Sequence, residues 1–109
     1  MPDLPSSIQI GPLPFTITDD LNAYHATAVE NGAAVWGRIE YGKGRIILDP
    51  DQTVAHKRMA LFHEVLHGAW HLTDRKHEED EALMLALSGP LLDTLRRNPA
   101  LVAYLLSED

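Results

Sequence analysis

Cysteine is absent from this chain of 109 residues, and aromatic residues make up only 6% of it. Without thiols the chain can form neither disulfide bridges nor thiolate metal sites, a composition that fits a reducing compartment. Any metal ion must therefore be held by imidazole and carboxylate groups, for which the sequence supplies six histidines and sixteen acidic residues.

Basic residues are also scarce. Nine Lys and Arg stand against sixteen Asp and Glu, so the formal net charge is −7. This balance argues against a nucleic-acid backbone as the main partner. No apolar run is long enough to span a bilayer, and Met1–Pro5 lacks the basic and apolar segments of a signal peptide. We therefore expect a cytoplasmic protein that binds neither nucleic acid nor a membrane.

The length and the hydrophobic content indicate one compact domain over residues 1–109. Hydrophobic residues make up 45% of the chain, which is enough for a core. Four of the seven prolines lie in residues 1–14. This stretch is therefore predicted to be an extended, loosely held arm with a short strand around Ile8–Ile10.

Helical and β-rich signals alternate in the next part of the chain. Asp19-Asp20 is suited to the start of a short helix over Leu21–Val29. Two β-rich runs, Ala34–Tyr41 and Arg45–Leu48, flank the glycine turn Gly42–Gly44 and predict a β-hairpin. We expect Arg45–Leu48 to be either an ordinary sheet strand or an edge with which an extended peptide pairs.

The second half of the chain has a helical pattern. Asp49-Pro50 is suited to begin a helix, and the pattern runs from about residue 53 to residue 72. This helix is apolar around most of its circumference, so it is predicted to be buried, with its histidines facing the interior or a cleft. The elements predicted after it are a polar loop over residues 73–81, a helix to Arg97 kinked at Pro90, and a short helix over Ala100–Leu106.

The most informative segment is His63-Glu64-Val65-Leu66-His67, a His-Glu-x-x-His pattern inside the first long helix. Residues four apart lie one above the other on a helix face, so the two imidazoles can bind one metal ion. A catalytic zinc ion usually has three protein ligands and one water, and it lowers the pKa of that water to roughly 7. The pattern therefore predicts a zinc hydrolase with His63 and His67 as ligands.

Glu64 has a different role in this interpretation. Its carboxylate can accept a proton from the zinc-bound water and pass it to the leaving amine. The alternative is a pair of core histidines bonded to backbone carbonyls, with Glu64 paired to Arg58 or Lys57. Because burying two histidines and a glutamate together without a metal is costly, the catalytic interpretation is favoured.

His71 is a poor third ligand. Four residues of helix rise about 6 Å, so His71 lies roughly 12 Å from His63 along the helix axis. Two residues this far apart cannot share one ion. We therefore expect His71 at the helix end or on the surface.

The third ligand is expected from the helix that follows. Stepping back by three or four residues from the core-facing Met84 favours Glu81, because glutamate reaches further, with Asp80 as the runner-up. The neighbouring Glu78 and Glu79 are better explained as part of a solvated first turn.

Other side chains carry less weight. Three residues have groups that can stabilise an oxyanion, although each is more simply explained by packing or surface exposure: Tyr104, His77 and Arg75. The two tryptophans, Trp36 and Trp70, are expected in the core rather than as platforms for a substrate.

A His-Glu-x-x-His helix followed by a helix-borne glutamate resembles the gluzincin metallopeptidases. The hairpin, the motif helix, the short polar loop and Glu81-x-x-Met84 together resemble minimal gluzincins and ImmA/IrrE-type metallopeptidase domains, over about residues 35–106. The resemblance implies a short twisted sheet packed on the motif helix, with an edge strand beside the cleft. It also implies that His63, His67 and Glu81 bind one zinc ion and that Glu64 is the catalytic glutamate.

The sequence as a whole predicts an α+β, zincin-like fold, in which a small twisted sheet packs on the motif helix and a second helix bears a metal ligand. The predicted function is hydrolysis of peptide or protein substrates with one Zn²⁺ per chain. The alternative is a zinc-binding regulatory or protein-interaction module with a latent or inactive site. Some minimal gluzincins are latent because a terminal segment fills the cleft, and by analogy Met1–Pro14 or Ala100–Asp109 would do so here.

Overall fold

The computed structural model describes residues 3–31, 36–73 and 80–107, with side chains left undescribed at 28–31, 80–85 and 88. The described residues form an α+β fold with a four-stranded mixed sheet and four helices. In chain order the elements are β1 (Ser7–Ile10), β2 (Leu13–Thr18), α1 (Leu21–Asn31), β3 (Gly37–Glu40), β4 (Arg45–Leu48), α2 (Val54–Thr73), α3 (Asp80–Arg97) and α4 (Pro99–Leu105).

The strand order is β1-β2-β4-β3, so the predicted hairpin β3–β4 joins the sheet through β4. β2 and β4 are parallel, whereas the two outer pairs are antiparallel. Gly44 ends the hairpin turn with φ of 62°, a left-handed conformation that favours glycine. The suggestion that Arg45–Leu48 is an edge strand is therefore wrong: β4 is interior, and Gly37–Glu40 is the edge.

The described part of the expected arm, residues 3–14, is extended but well packed. It forms β1 and the start of β2, and Ile8 and Ile10 are buried in the core with Phe15. The prolines are compatible with this because Pro12 lies in the turn between the strands and Pro14 is on β2, beside the turn. Hydrophobic burial therefore holds this segment in the sheet.

The outer edge of β1 is covered by the side chain of Asn98, which lies between α3 and α4. The Asn98 amide accepts a hydrogen bond from the Gln9 backbone N–H at 2.9 Å and donates one to the Gln9 carbonyl at 2.8 Å. The side chain thus pairs with β1 as a neighbouring strand would, which protects this edge from other chains.

α2 begins later than Asp49-Pro50 suggested. The Thr53 hydroxyl accepts a hydrogen bond from the His56 backbone N–H at 3.1 Å, so Thr53 caps the helix. Asp49 instead accepts one from the Asp51 backbone N–H at 2.9 Å, in the turn before the helix. α2 buries one side on the sheet, through Ala60, Leu61, Glu64, Val65, Gly68 and Ala69.

α3 and α4 pack on α2 and complete the core. Leu101 and Tyr104 of α4 are buried with Leu61 and Val65 of α2. α3 contains Pro90 and ends at Arg97, the end that the sequence predicted. Within the described ranges, no helix combines the length and the apolar character needed to cross a membrane.

Candidate metal and catalytic site

The two motif histidines lie side by side on α2. Their Nε2 atoms are 3.0 Å apart, and the ring planes are inclined at 78°. His63 is exposed and His67 is partly buried, so the pair lies at the protein surface rather than in the core. This arrangement contradicts the alternative of two core histidines, because His63 is exposed.

Glu64 lies beneath the histidine pair and is only 6% exposed. Burial raises the pKa of the Glu64 carboxyl above its usual value, and the nearby His63, His67 and Arg38 oppose that effect. The suggested pairing of Glu64 with Lys57 is wrong because the Lys57 ammonium donates to Asp19 at 2.9 Å.

The edge strand β3 runs parallel to α2, directly beside the motif. A Cβ atom added to Gly37 would lie 3.5 Å from Cγ of Glu64, and one added to Gly68 would lie 3.3 Å from Cδ1 of Ile39. The contacts repeat along both elements because two strand residues and four helical residues both rise about 6 to 7 Å. Glu64 is therefore placed next to the edge strand of the sheet.

A cavity of about 550 Å³ opens beside Glu64 and His63. Its walls come from the start of β3 and from the first half of α2: Trp36, Gly37, His56, Met59 and Ala60. The Trp36 side chain is 58% exposed, so the expectation of a core tryptophan is wrong. Its ring lies 4.2 Å from that of His56, whose Nδ1 is 2.7 Å from Oε1 of Gln52.

His56 was missed by the sequence analysis although it shares this cavity with His63. A signal was present: the two residues are seven apart, which is almost two full helical turns and places them on one helix face. Trp36 gave no such signal, because its position depends on the packing of a strand start against a helix.

A smaller cavity of about 170 Å³ lies between the motif and α3. It is lined by His63, His67, Leu66 and Trp70 from α2 and by Leu87 from α3. α3 therefore approaches the histidine pair, which is necessary if a residue of this helix is to be the third ligand.

The predicted third ligand belongs to the start of α3. Asp80 and Glu81 occupy the first turn of α3, but their side chains are not described, and Glu78, Glu79, Arg75 and His77 lie outside the described residues. Within the part of the chain whose side chains are described, no three His, Asp or Glu residues form a group suited to a metal ion. His63 and His67 are the two predicted ligands that the structure brings together.

Tyr104 and His71 lie away from the motif. Tyr104 is buried in the core beneath the Arg58 guanidinium, so its role is packing and not oxyanion stabilisation. His71 is exposed at the end of α2, as expected, and its ring stacks on Tyr41 at 4.0 Å.

Of the two terminal segments, the described residues 3–14 and 100–107 do not line the cavity beside Glu64. Within the described residues, the first of these segments belongs to the hairpin at the opposite side of the sheet, and the second forms α4.

Comparisons with protein-family models, with curated proteins and with solved structures find no match to this chain.

Proposed function

We propose that this chain is a zinc-dependent peptidase with a zincin-like arrangement of sheet and motif helix. One observation carries the proposal: two imidazole Nε2 atoms converge at 3.0 Å, beside a buried carboxylate at the base of an open cavity. Burying a glutamate next to two histidines costs free energy, and carboxyl groups in such surroundings cluster at functional sites.

The histidine pair fits a zinc ion. Zinc binds imidazole nitrogen at about 2.0–2.1 Å with tetrahedral angles, so two nitrogens that share it lie about 3.3 Å apart. The observed 3.0 Å separation of the Nε2 atoms is close to this value. His63 and His67 would hold the ion, with Glu81, or Asp80, supplying the third ligand from α3.

A zinc ion held there would polarise a carbonyl group and make a bound water more acidic. Glu64 accepts the proton of the attacking water and delivers it to the leaving amine. Its raised pKa suits this role, because a carboxyl group that ionises closer to neutral pH both takes and returns a proton more readily.

The free edge of β3 and the adjoining cavity support a peptide as the substrate. An extended peptide can pair with the N–H and C=O groups of Gly37–Glu40 that face away from β4. One of its side chains would enter the cavity lined by Trp36, His56 and Met59, which places the peptide backbone over Glu64. Exposed apolar walls favour a large apolar side chain at that position.

The substitution Glu64→Gln tests the proposal. The variant should retain one zinc ion per chain, because Glu64 is not a ligand, and it should lose about 10²- to 10⁴-fold in peptide cleavage, because an amide cannot accept the proton. Cleavage would be measured by mass spectrometry on an unbiased peptide library, with zinc content by elemental analysis. Asp93→Asn is the matched control, since it makes the same chemical change at an ion pair with Arg97 on α3.

Equal cleavage by wild type and Glu64→Gln would contradict the mechanism. Stoichiometric zinc without any cleavage by the wild type would favour the alternative of a zinc-binding regulatory or interaction module. A protein that neither retains zinc nor is stabilised by added zinc would contradict both functions.

A further inference from the structure

Arg58 is a buried cation with unused hydrogen-bond donors. It lies on α2 and is only 8% exposed, yet its Nε and Nη2 atoms are buried and have no hydrogen-bond partner among the described residues. A buried guanidinium is normally paired, because leaving its donors unsatisfied costs free energy. The two unpaired donors of Arg58 can therefore bind an anionic group.

The two unpartnered nitrogens belong to the same edge of the guanidinium. The N–H groups of Nε and Nη2 point in one direction and form a fork that matches the two oxygens of a carboxylate. The face of the guanidinium is already used, since Cζ of Arg58 lies over the Tyr104 ring at 5.7 Å from its centroid. These two donors are suited to bidentate binding of an anion, and they lie behind the cavity wall with almost no accessible surface, so the wall must move for an anion to reach them.

Arg58 also lines an apolar cavity of about 490 Å³ between α2, α3 and α4. This volume is within the range of about 300–1,000 Å³ found for small-molecule sites. The other described residues that line it are apolar: Met59, Phe62, Leu95, Val102, Leu105 and Leu106. A ligand for this site needs an apolar body and a single anionic group.

We propose that this cavity binds an aliphatic monocarboxylic acid, with the tail between α2, α3 and α4 and the carboxylate on the Nε–Nη2 fork of Arg58. Met59 and Leu106 are 61% and 76% exposed. Their flexible side chains can rotate to admit the ligand while Leu101 and Tyr104 keep the core intact.

Among the described residues near the cavity, Lys57 and Asp19 neutralise each other in an ion pair of 2.9 Å. An incoming carboxylate would therefore be attracted by Arg58 alone, in a protein whose net charge is −7. The site does not use His63, His67 or Glu64, although Met59 lines both this cavity and the cavity beside Glu64.

Decanoate is the probe for this proposal, with decanol as the same tail lacking the anion. Isothermal titration should give binding of decanoate at least tenfold tighter than that of decanol, and decanoate should raise the midpoint of thermal unfolding. Arg58→Met should lose at least tenfold in decanoate affinity and leave decanol binding unchanged. Arg58→Lys should be intermediate, because lysine keeps the charge but not the fork.

Arg96→Met, at an exposed arginine of α3, is the matched control and should bind decanoate as the wild type does. Leu106→Glu provides a second variant that spares the core, and its carboxylate should repel decanoate. The unliganded Arg58→Met protein should unfold at the same temperature or higher, because it no longer buries an unpaired charge.

Several results would overturn the proposal. These are equal affinity for decanoate and decanol, wild-type affinity in Arg58→Met, and no detectable binding of decanoate. Binding of a short peptide through a free C-terminal leucine carboxylate, without binding of decanoate, would replace the aliphatic acid by a protein C-terminus as the occupant.

Discussion

Glu64 illustrates how one residue takes its chemistry from its surroundings. The same carboxyl group would be an ordinary surface acid on an exposed helix. Here it is buried by β3 and the sheet, which raises its pKa, while the adjacent His63 and His67 oppose the shift. The sequence pattern identified the three residues, but the burial that distinguishes Glu64 from other glutamates comes from packing.

The proposed third zinc ligand can be tested by substitution at the start of α3. Glu81→Gln should weaken zinc binding by more than about 100-fold, since losing a direct ligand costs more than the 10- to 100-fold of a supporting residue. Zinc affinity would be measured by competition with a chelator. His71→Ala is the control on α2, because its ring stacks on Tyr41 and should leave zinc affinity unchanged.

The two acids at this turn differ in their spacing from Leu87, which lines the small cavity at the histidine pair. Residue 80 is seven positions away, almost two full helical turns, whereas residue 81 is six positions away. If Asp80→Asn rather than Glu81→Gln abolishes zinc binding, the assignment of Glu81 is wrong and the runner-up is the ligand.

At the level of the elements, the close approach of α2 to the sheet depends on Gly68, which follows the second motif histidine. A Cβ atom at Gly68 would lie 2.6 Å from Cδ1 of Ile10 and 3.3 Å from Cδ1 of Ile39. Because Ile10 is fully buried, its side chain has little room to move. The absence of a side chain at one position thus sets the distance between helix and sheet.

Gly68→Ala should therefore destabilise the fold by about 1–3 kcal/mol, the usual cost of overpacking a core, despite the better helix propensity of alanine. Gly89→Ala is the control on α3, where an added Cβ meets nothing within 4 Å. There the gain in propensity is offset by the restriction on a residue before Pro90, so the change should be small. Urea unfolding measures both, and equal effects would mean that Gly68 does not control helix–sheet packing.

Element types were largely predictable because they depend on neighbours in sequence. Two β-rich runs around a glycine turn indicated β3 and β4, and a helical pattern indicated α2 and α3. The position of β4 inside the sheet was not predictable, because β2 reaches it across α1 and the hairpin. Strand pairing over such a distance is decided by which apolar faces bury each other.

At the scale of the whole molecule, Asn98 joins the two ends of the chain. Its amide bonds Gln9 in both directions and also donates to the Thr94 carbonyl at 2.7 Å. The partners Gln9 and Asn98 are 89 residues apart in sequence. A single side chain therefore ties the N-terminal hairpin to the junction of α3 and α4.

Asn98→Ala should lower the free energy of unfolding by about 1–3 kcal/mol, because it leaves partly buried backbone groups of Gln9 without partners. Asn22→Ala, at an exposed site on α1, should change it by less than about 0.5 kcal/mol. Chemical denaturation of the two variants gives the comparison. A loss no larger in Asn98→Ala than in Asn22→Ala would mean that the β1 edge is held by other contacts.

The sequence by itself determined the motif, because the spacing of His63 and His67 on one helix face follows from local helical geometry. It also determined the composition of any metal site, since no thiol is available. Tertiary structure alone decided that β3 is the edge beside Glu64, that Trp36 is exposed and that two buried nitrogens of Arg58 have no hydrogen-bond partner among the described residues. These features depend on contacts between residues far apart in the chain, and such contacts arise only when the apolar faces of the sheet and helices bury one another.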